Sequence, residues 1–268
     1  MRRDLLVGVT ALMLMAGSAH AANALFGIAE GVASQANFGD LQDKYQPLAN
    51  YLGRVLKRGV TLESSQNIQS AIANLEKERY ELMYIRPSNV AGRAIRDNHY
   101  QLVAMAKGDF NANFIVRKDH PFKKPEDVLT QNIAMPEESA LMSRVGMATL
   151  RDLGGDPAKM KIRNTRYQEA VNFMVENKFA EVGVVAPGTA KAWEKTGGVT
   201  LFKSKNLPFW SIVASAKVSQ EDVARMQKAL VEMETTDEGK AILKKIGIKG
   251  WAPGRPKDYI DMMTWLGF

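Results

Sequence analysis

The sequence predicts an α/β fold, a mostly parallel sheet with helices on its faces. Two observations predict it. From Phe26 onward, short apolar runs of strand length alternate with amphipathic stretches whose apolar residues recur every three or four positions. In addition, no internal repeat, low-complexity tract or long linker interrupts that alternation.

The elements follow in order. Residues 25–29 read as a first strand, with a polar, Gly-containing loop over 30–40. Leu41, Tyr45, Leu48, Leu52 and Val55 then mark a helix. A strand over 60–63 precedes a helix with Ile68, Ala71, Ile72 and Leu75 on one face. Strands are expected at 81–85, 102–106 and 114–117, a helix start at Pro125-Glu126-Asp127, and a strand at 132–135. The helix expected over 139–153 stops at Gly154-Gly155, a common terminator. A strand at 161–164, a helix lined by Ala170, Val171, Met174 and Val175, a strand at 181–185 and a short helix through Ala190 and Trp193 continue the pattern. Strands near 200–203 and 211–214 lead to a helical C-terminal part. There Ser219 with Asp222 reads as an N-cap and an acidic first turn ahead of Val223, Met226, Leu230 and Met233. Further helices are expected at 238–246 and 257–265. Most of the 14 methionines fall at core spacing and read as core filling.

The first residues have the order of a secretory leader. Arg2 and Arg3 precede an apolar run, and Ala19-His20-Ala21 ends it with small residues, which places cleavage after Ala21. The run is short of the ~20 residues that span a bilayer. Arg2-Arg3 leaves a twin-arginine route open beside the general one. About 247 residues then remain, enough for one large domain or two moderate lobes. There is no cysteine. That excludes disulfides, thiolate metal sites, a cysteine nucleophile and a lipid-modified cysteine, so a freely diffusing periplasmic protein is expected. The formal charge of +7 is spread among acidic residues without a like-charge block. It reads as a solvated basic surface, not a nucleic-acid footprint.

Catalytic signatures are missing. The sequence contains no G-x-S-x-G, H-E-x-x-H or phosphate-cradling G-x-x-x-x-G-K-[ST] pattern. Outside the leader only His99 and His120 remain, both in polar contexts, and no ligand cluster or cofactor motif accompanies them. Neither metal nor cofactor is expected. Polar loops after strands are more informative, because open α/β sheets bind ligands at the carboxyl ends of their strands. Four stand out: residues 30–35, Ser64-Ser65-Gln66-Asn67, Arg86-Pro87-Ser88-Asn89 and Pro136-Glu137-Glu138-Ser139. Ser or Asn at a helix start is most often a cap. Four such loops in equivalent places instead suggest one shared cleft.

The order of these segments carries a resemblance. FGIAEG, YQPLANYL, ELMYIRPSNV, FIVRKDHPFKKPEDV, IAMPEESALMSRVGMATLRDLGGDP, YQEAVNFMVENKFAEVGVV and TDEGKAILKKIGIKGWAP before KDYIDMM follow one another along the chain. Together they resemble the phosphonate-binding (PhnD-like) periplasmic solute-binding proteins of ABC transporters. The resemblance implies a type II-like fold of two α/β lobes with two crossings, near 107–113 and 204–210. Lobe 1 would comprise 24–107 plus 211–268, and lobe 2 would comprise 108–210.

It also implies a non-enzymatic, monomeric protein that captures a small polar, anionic ligand for a membrane ABC permease. That ligand would be a phosphonate- or phosphate-like oxyanion, another small anion or a zwitterion. A sensor of the same fold that signals to a membrane-bound histidine kinase is the alternative. The ligand-facing residues would be Ser65, Gln66, Asn67, Arg86, Ser88, Asn89, Glu138, Ser139 and Gln168. At three points the chain departs from the family pattern. Glu138-Ser139-Ala140-Leu141 replaces a Ser-Thr-Ser-Gly helix start, Gln168-Glu169 replaces a His-Asp pair, and Arg86 replaces a glycine. Two arrangements follow for Arg86 and Glu138. Facing each other from opposite lobes, they grip a ligand bearing both charges or pair with one another. Alternatively, Arg86, Ser88, Asn89 and Ser139 bind an oxyanion directly.

Overall fold

The structure, a computed structural model of the 268-residue chain, describes residues 23–30, 38–65 and 67–268. The expected leader (1–21), most of the first polar loop and Gln66 lie outside the described residues.

The chain first lays down β1 (Ala24–Ala29), α1 (Phe38–Leu56), β2 (Val60–Ser64), α2 (Ile68–Glu76), β3 (Leu82–Ile85), α3 (Ser88–Asp97) and β4 (Gln101–Ala106). It continues through β5 (Asn113–Val116), a 3-10 turn (Pro125–Thr130), β6 (Asn132–Pro136), α4 (Leu141–Asp152) and β7 (Lys161–Thr165). Then come α5 (Gln168–Glu176), β8 (Val182–Val185), α6 (Pro187–Lys195) and β9 (Val199–Lys203). It ends with β10 (Ser211–Ala214), α7 (Gln220–Glu232), α8 (Asp237–Ile246), β11 (Trp251–Ala252) and α9 (Pro256–Leu266).

Two sheets result. One has the strand order β11-β4-β10-β3-β1-β2, the other β7-β6-β8-β5-β9. Each begins as a parallel α/β unit, with β1 parallel to β2 and β3, and β6 parallel to β7 and β8. In each sheet a strand adjoining a crossing is inserted in the opposite sense. β10 lies antiparallel between β3 and β4, and β5 lies antiparallel between β8 and β9. The expectation of mostly parallel sheets therefore holds within the βαβ units and fails at the crossing strands. A chain that leaves one sheet and returns must re-enter from the edge it left.

The strand cores are apolar on both faces because helices cover both faces: β3, β5, β8 and β10 are buried along their whole length. In α1 the expected stripe of Leu41, Tyr45, Leu48 and Leu52 is buried. Each such side chain contributes about 1.5–3 kcal/mol of burial. The cap expected at Ser219 forms, its hydroxyl accepting from the Asp222 N–H at 3.1 Å.

Two elements escaped the sequence pattern. α3 fills what reads as a loop after Arg86, because its buried face is built of Val90, Ala91, Gly92 and Ala94 and gives a faint apolar signal. β11 is two residues long, too short for a period. The expected helix start at Pro125 is a 3-10 turn, closed by the Asp127 carboxylate accepting from the Lys123 and Lys124 N–H groups.

The crossings, 107–112 and 204–210, bond to each other. Ser204 N–H donates to Ala112 O at 2.9 Å, Leu207 N–H to Phe110 O at 2.7 Å, and Asn111 Nδ2 to Asn206 Oδ1 at 2.8 Å. The two sheets also meet through α9. Its Trp265 indole N–H donates to Asp152 of α4 at 2.7 Å, while its Tyr259, Met262 and Met263 are buried with α3 residues in one apolar cluster.

Candidate functional site

Parallel strands in one sheet bring their carboxyl ends to one edge, so the residues after β1, β2 and β3 are neighbours. Arg86 N–H donates to Ala29 O at 3.0 Å and Ser65 N–H to Ile28 O at 2.9 Å, which sews the three strand exits together. Antiparallel β10 starts at the same edge, so the end of the second crossing arrives there too. Ser211 pairs with Ile85, and Trp210 directly precedes it.

At this edge lies a charged cluster built around Glu30. Its side chain is 5% exposed, and its carboxylate takes a hydrogen bond from Lys44 Nζ at 2.8 Å, one from the Tyr45 hydroxyl and an ion-paired one from Arg86 Nη1. Burial alone would raise the Glu30 pKa. The Arg86 charge and the bonds from Lys44, Tyr45 and Arg86 outweigh it and hold the carboxyl below its ordinary value. The Tyr45 phenol is pushed strongly up, chiefly by burial and then by Tyr84 and Glu30, so it remains a donor. Arg86 is pinned on its other side, its guanidinium lying 3.9 Å from the centroid of the Trp210 ring. Arg86 Nε and Asn89 Oδ1 are both buried without a hydrogen-bond partner among the described residues.

The second sheet offers its own carboxyl edge, where α4, α5 and α6 begin after β6, β7 and β8. None of the three, nor α3, has a side chain capping its first turn. By contrast α2, α7 and α8 are capped by Asn67, Ser219 and Thr236. Unpaired first-turn N–H groups and the positive end of a helix dipole favour an anion. Gln168 joins two of these helix starts. Its Oε1 accepts from Ala186 N–H at 2.7 Å and from the Thr189 hydroxyl at 3.4 Å.

The expected site residues take different roles. Asn67 is a cap, its side chain accepting from Ser70 N–H at 2.8 Å. Ser65 is nearly buried, 3.3 Å from the Tyr80 hydroxyl. Ser88 opens α3 instead of lying in a loop. It is buried and donates to Pro208 O, fastening α3 to the second crossing. Asn89 follows it in the first turn. Ser139 and Glu138 are exposed in the turn before α4, which starts two residues later than the sequence suggests. The pairing of Arg86 with Glu138 does not form; the partner of Arg86 is Glu30 in its own sheet. Glu30 is the first residue of a loop that the sequence singles out, and it is absent from the expected ligand-facing residues. A lone acid at a strand end carries no signal until its three donors, distant in sequence, are placed around it.

Among the described residues no group of three His, Asp or Glu side chains could hold a metal ion, and no helix is long and apolar enough to cross a membrane. A surface pocket of about 310 Å³ between α1 and α8 is lined by Pro47, Asn50, Arg54, Glu238 and Lys245, away from either strand edge.

Residues 31–259 match the family model described as ABC transporter, phosphonate, periplasmic substrate-binding protein. The chain belongs to this family. It is a periplasmic solute-binding protein of an ABC importer, a class of transport components that does not favour the sensor alternative. No curated protein matches the sequence. Among solved structures, XAC2383 from Xanthomonas citri bound to ATP is similar with a TM-score of 0.73 at 13% identity, covering 92% of this chain and 97% of that one. PhnD1 from Prochlorococcus marinus in complex with methylphosphonate gives 0.68 at 13% identity, over 90% and 96%. The aliphatic sulphonate binding protein SsuA from Escherichia coli gives 0.59 at 11% identity, over 89% and 82%. At such identities the likeness concerns the fold: two lobes, each a sheet flanked by helices.

Proposed function

We propose that this binding protein traps a small solute with an oxyanion group between the carboxyl edges of its two sheets and passes it to a membrane ABC permease. The observation that carries the reading is Arg86. It is a guanidinium ordered by Glu30 and Trp210 at the edge of one sheet, in a family whose other lobe contributes, in this chain, the uncapped starts of α4 and α5. Closure of such lobes removes water from the ligand and strengthens every polar contact to it. The lobes act as units of about residues 24–107 plus 211–268 and 108–210, hinged on the paired crossings. The protein works as a monomer, by binding and release without turnover of the ligand.

The test is calorimetric titration of wild type and Arg86→Ala with methylphosphonate and methanesulfonate. Loss of one charge-assisted contact should weaken binding about 10- to 100-fold. Equal affinity in the variant would remove Arg86 from the site, and a ligand recovered chemically altered would overturn the binding-only reading.

A further inference from the structure

We infer that Glu30 is a positioning and specificity-determining residue that restricts the site to oxyanions carrying a single negative charge. The inference rests on the proposed role of Arg86 and adds a charge rule to it.

The cluster at the first strand edge holds two cations, Lys44 and Arg86, and one buried anion, Glu30. Arg86 therefore arrives at the cleft with its charge largely spent on a permanent internal partner. What it still offers is direction. Nη1 is engaged by Glu30, the ring of Trp210 covers one face, and the remaining end has no protein partner among the described residues. The guanidinium cannot swing to follow a ligand without abandoning a carboxylate that is 5% exposed and has two further donors fixed on it. Such a group gives oriented N–H donors with little net field.

The helix starts of the opposite rim carry both signs, and Arg144 in the first turn of α4 is turned onto the Phe268 ring, 5.6 Å from its centroid. Glu137 and Glu138 precede α4, and Glu169 lies in the first turn of α5, with Arg166 the nearby base in sequence. A doubly charged oxyanion would meet one surplus positive charge from the first lobe, whereas the carboxylates of Glu137, Glu138 and Glu169 outnumber the guanidiniums of Arg144 and Arg166 at the helix starts of the second. A singly charged one is matched by the donors and spared the second repulsion. Discrimination of this kind acts on ligand charge instead of ligand shape.

Glu30→Gln keeps the side-chain volume and removes the charge. With methanesulfonate as the singly charged probe and methylphosphonate in mildly alkaline buffer as the doubly charged one, wild type should prefer the former. The variant should gain at least tenfold in relative affinity for the doubly charged probe, and Glu30→Asp should restore much of the wild-type preference. An unchanged ratio in Glu30→Gln would overturn the inference, as would equal loss of both probes with no recovery in Glu30→Asp.

A readout without ligand separates this from failure of the proposed function. In nitrogen-15 NMR spectra the Arg86 guanidinium should show slowed rotation in wild type that disappears in Glu30→Gln. If the rotation is slowed but neither probe binds wild type, the oxyanion reading falls and the positioning role stands. If the rotation is already free in wild type, the positioning role falls.

Discussion

At the scale of single residues, the molecule places one carboxylate where burial opposes it and local donors outweigh that opposition. Glu30 is held below its ordinary value of 4.5 although burial pushes the other way. A group whose folded pKa is depressed stabilises the fold fully above its unfolded pKa, and that contribution fades as pH falls through the folded value. Removing the charge leaves Arg86 without its partner and should cost about 1.5–3 kcal/mol at neutral pH. Urea titrations of wild type and Glu30→Gln should therefore show a stability gap that narrows once the pH drops below about 4.5. A gap independent of pH would show that packing, not charge, sets the cost. Tyr45 illustrates how a residue can be read correctly and incompletely. Its place in the α1 stripe assigns it to the core, where its ring lies 5.0 Å from that of Tyr84, yet its hydroxyl reaches out of that core to Glu30.

At the scale of elements, α3 and α9 decide how the lobes meet. α3 was invisible as a helix because its packing face is small. Gly92 lets α9 come close, and a Cβ there would sit 2.6 Å from Met263 Cγ. The small residues that make this face inconspicuous in the sequence are the same ones that permit close helix packing. Gly92→Leu should drive α9 off α3 and cost about 1–3 kcal/mol by overpacking, read as a lower thermal unfolding midpoint. An unchanged midpoint would mean that α9 can shift freely. The other side of α9 is held by exposed polar contacts to α4, with Arg151 Nη2 donating to Trp265 O at 2.6 Å and the Trp265 indole donating to Asp152. The Lys205 ammonium of the second crossing lies 3.9 Å from the Trp265 ring centroid. One apolar cluster holds α9 residues together with residues of both α3 and α4, and surface contacts of a few tenths of a kcal/mol each add to its hold on α4.

At the scale of the whole molecule, the proposed function requires two lobes that move as units on a narrow hinge. The paired crossings resist independent flexing, which concentrates bending at their ends. Gly108 sits at one such end with φ +145°, a conformation L side chains rarely adopt, and a Cβ would lie 3.2 Å from the Phe209 ring. Gly108→Ala should lose about 1–3 kcal/mol of stability in denaturant titration. Small-angle scattering should show contraction on adding ligand to wild type and less of it in the variant; full contraction in the variant would place the bend elsewhere.

The sequence by itself determined the alternation of strand and helix, because period and burial follow from local residue order. Leu41, Tyr45, Leu48 and Leu52 announce α1, and Ser219 announces α7, without reference to anything distant. The ordered segments from FGIAEG to KDYIDMM were enough to place the chain in its family. Only the tertiary structure decided which of these polar residues are taken up by the fold. Asn67 and Ser88 are spent on a cap and a crossing, while Arg86 finds Glu30 across 56 residues and Trp210 across a crossing. Charge pairing and stacking depend on distance in space, and nothing local in the chain encodes which strand ends will become neighbours.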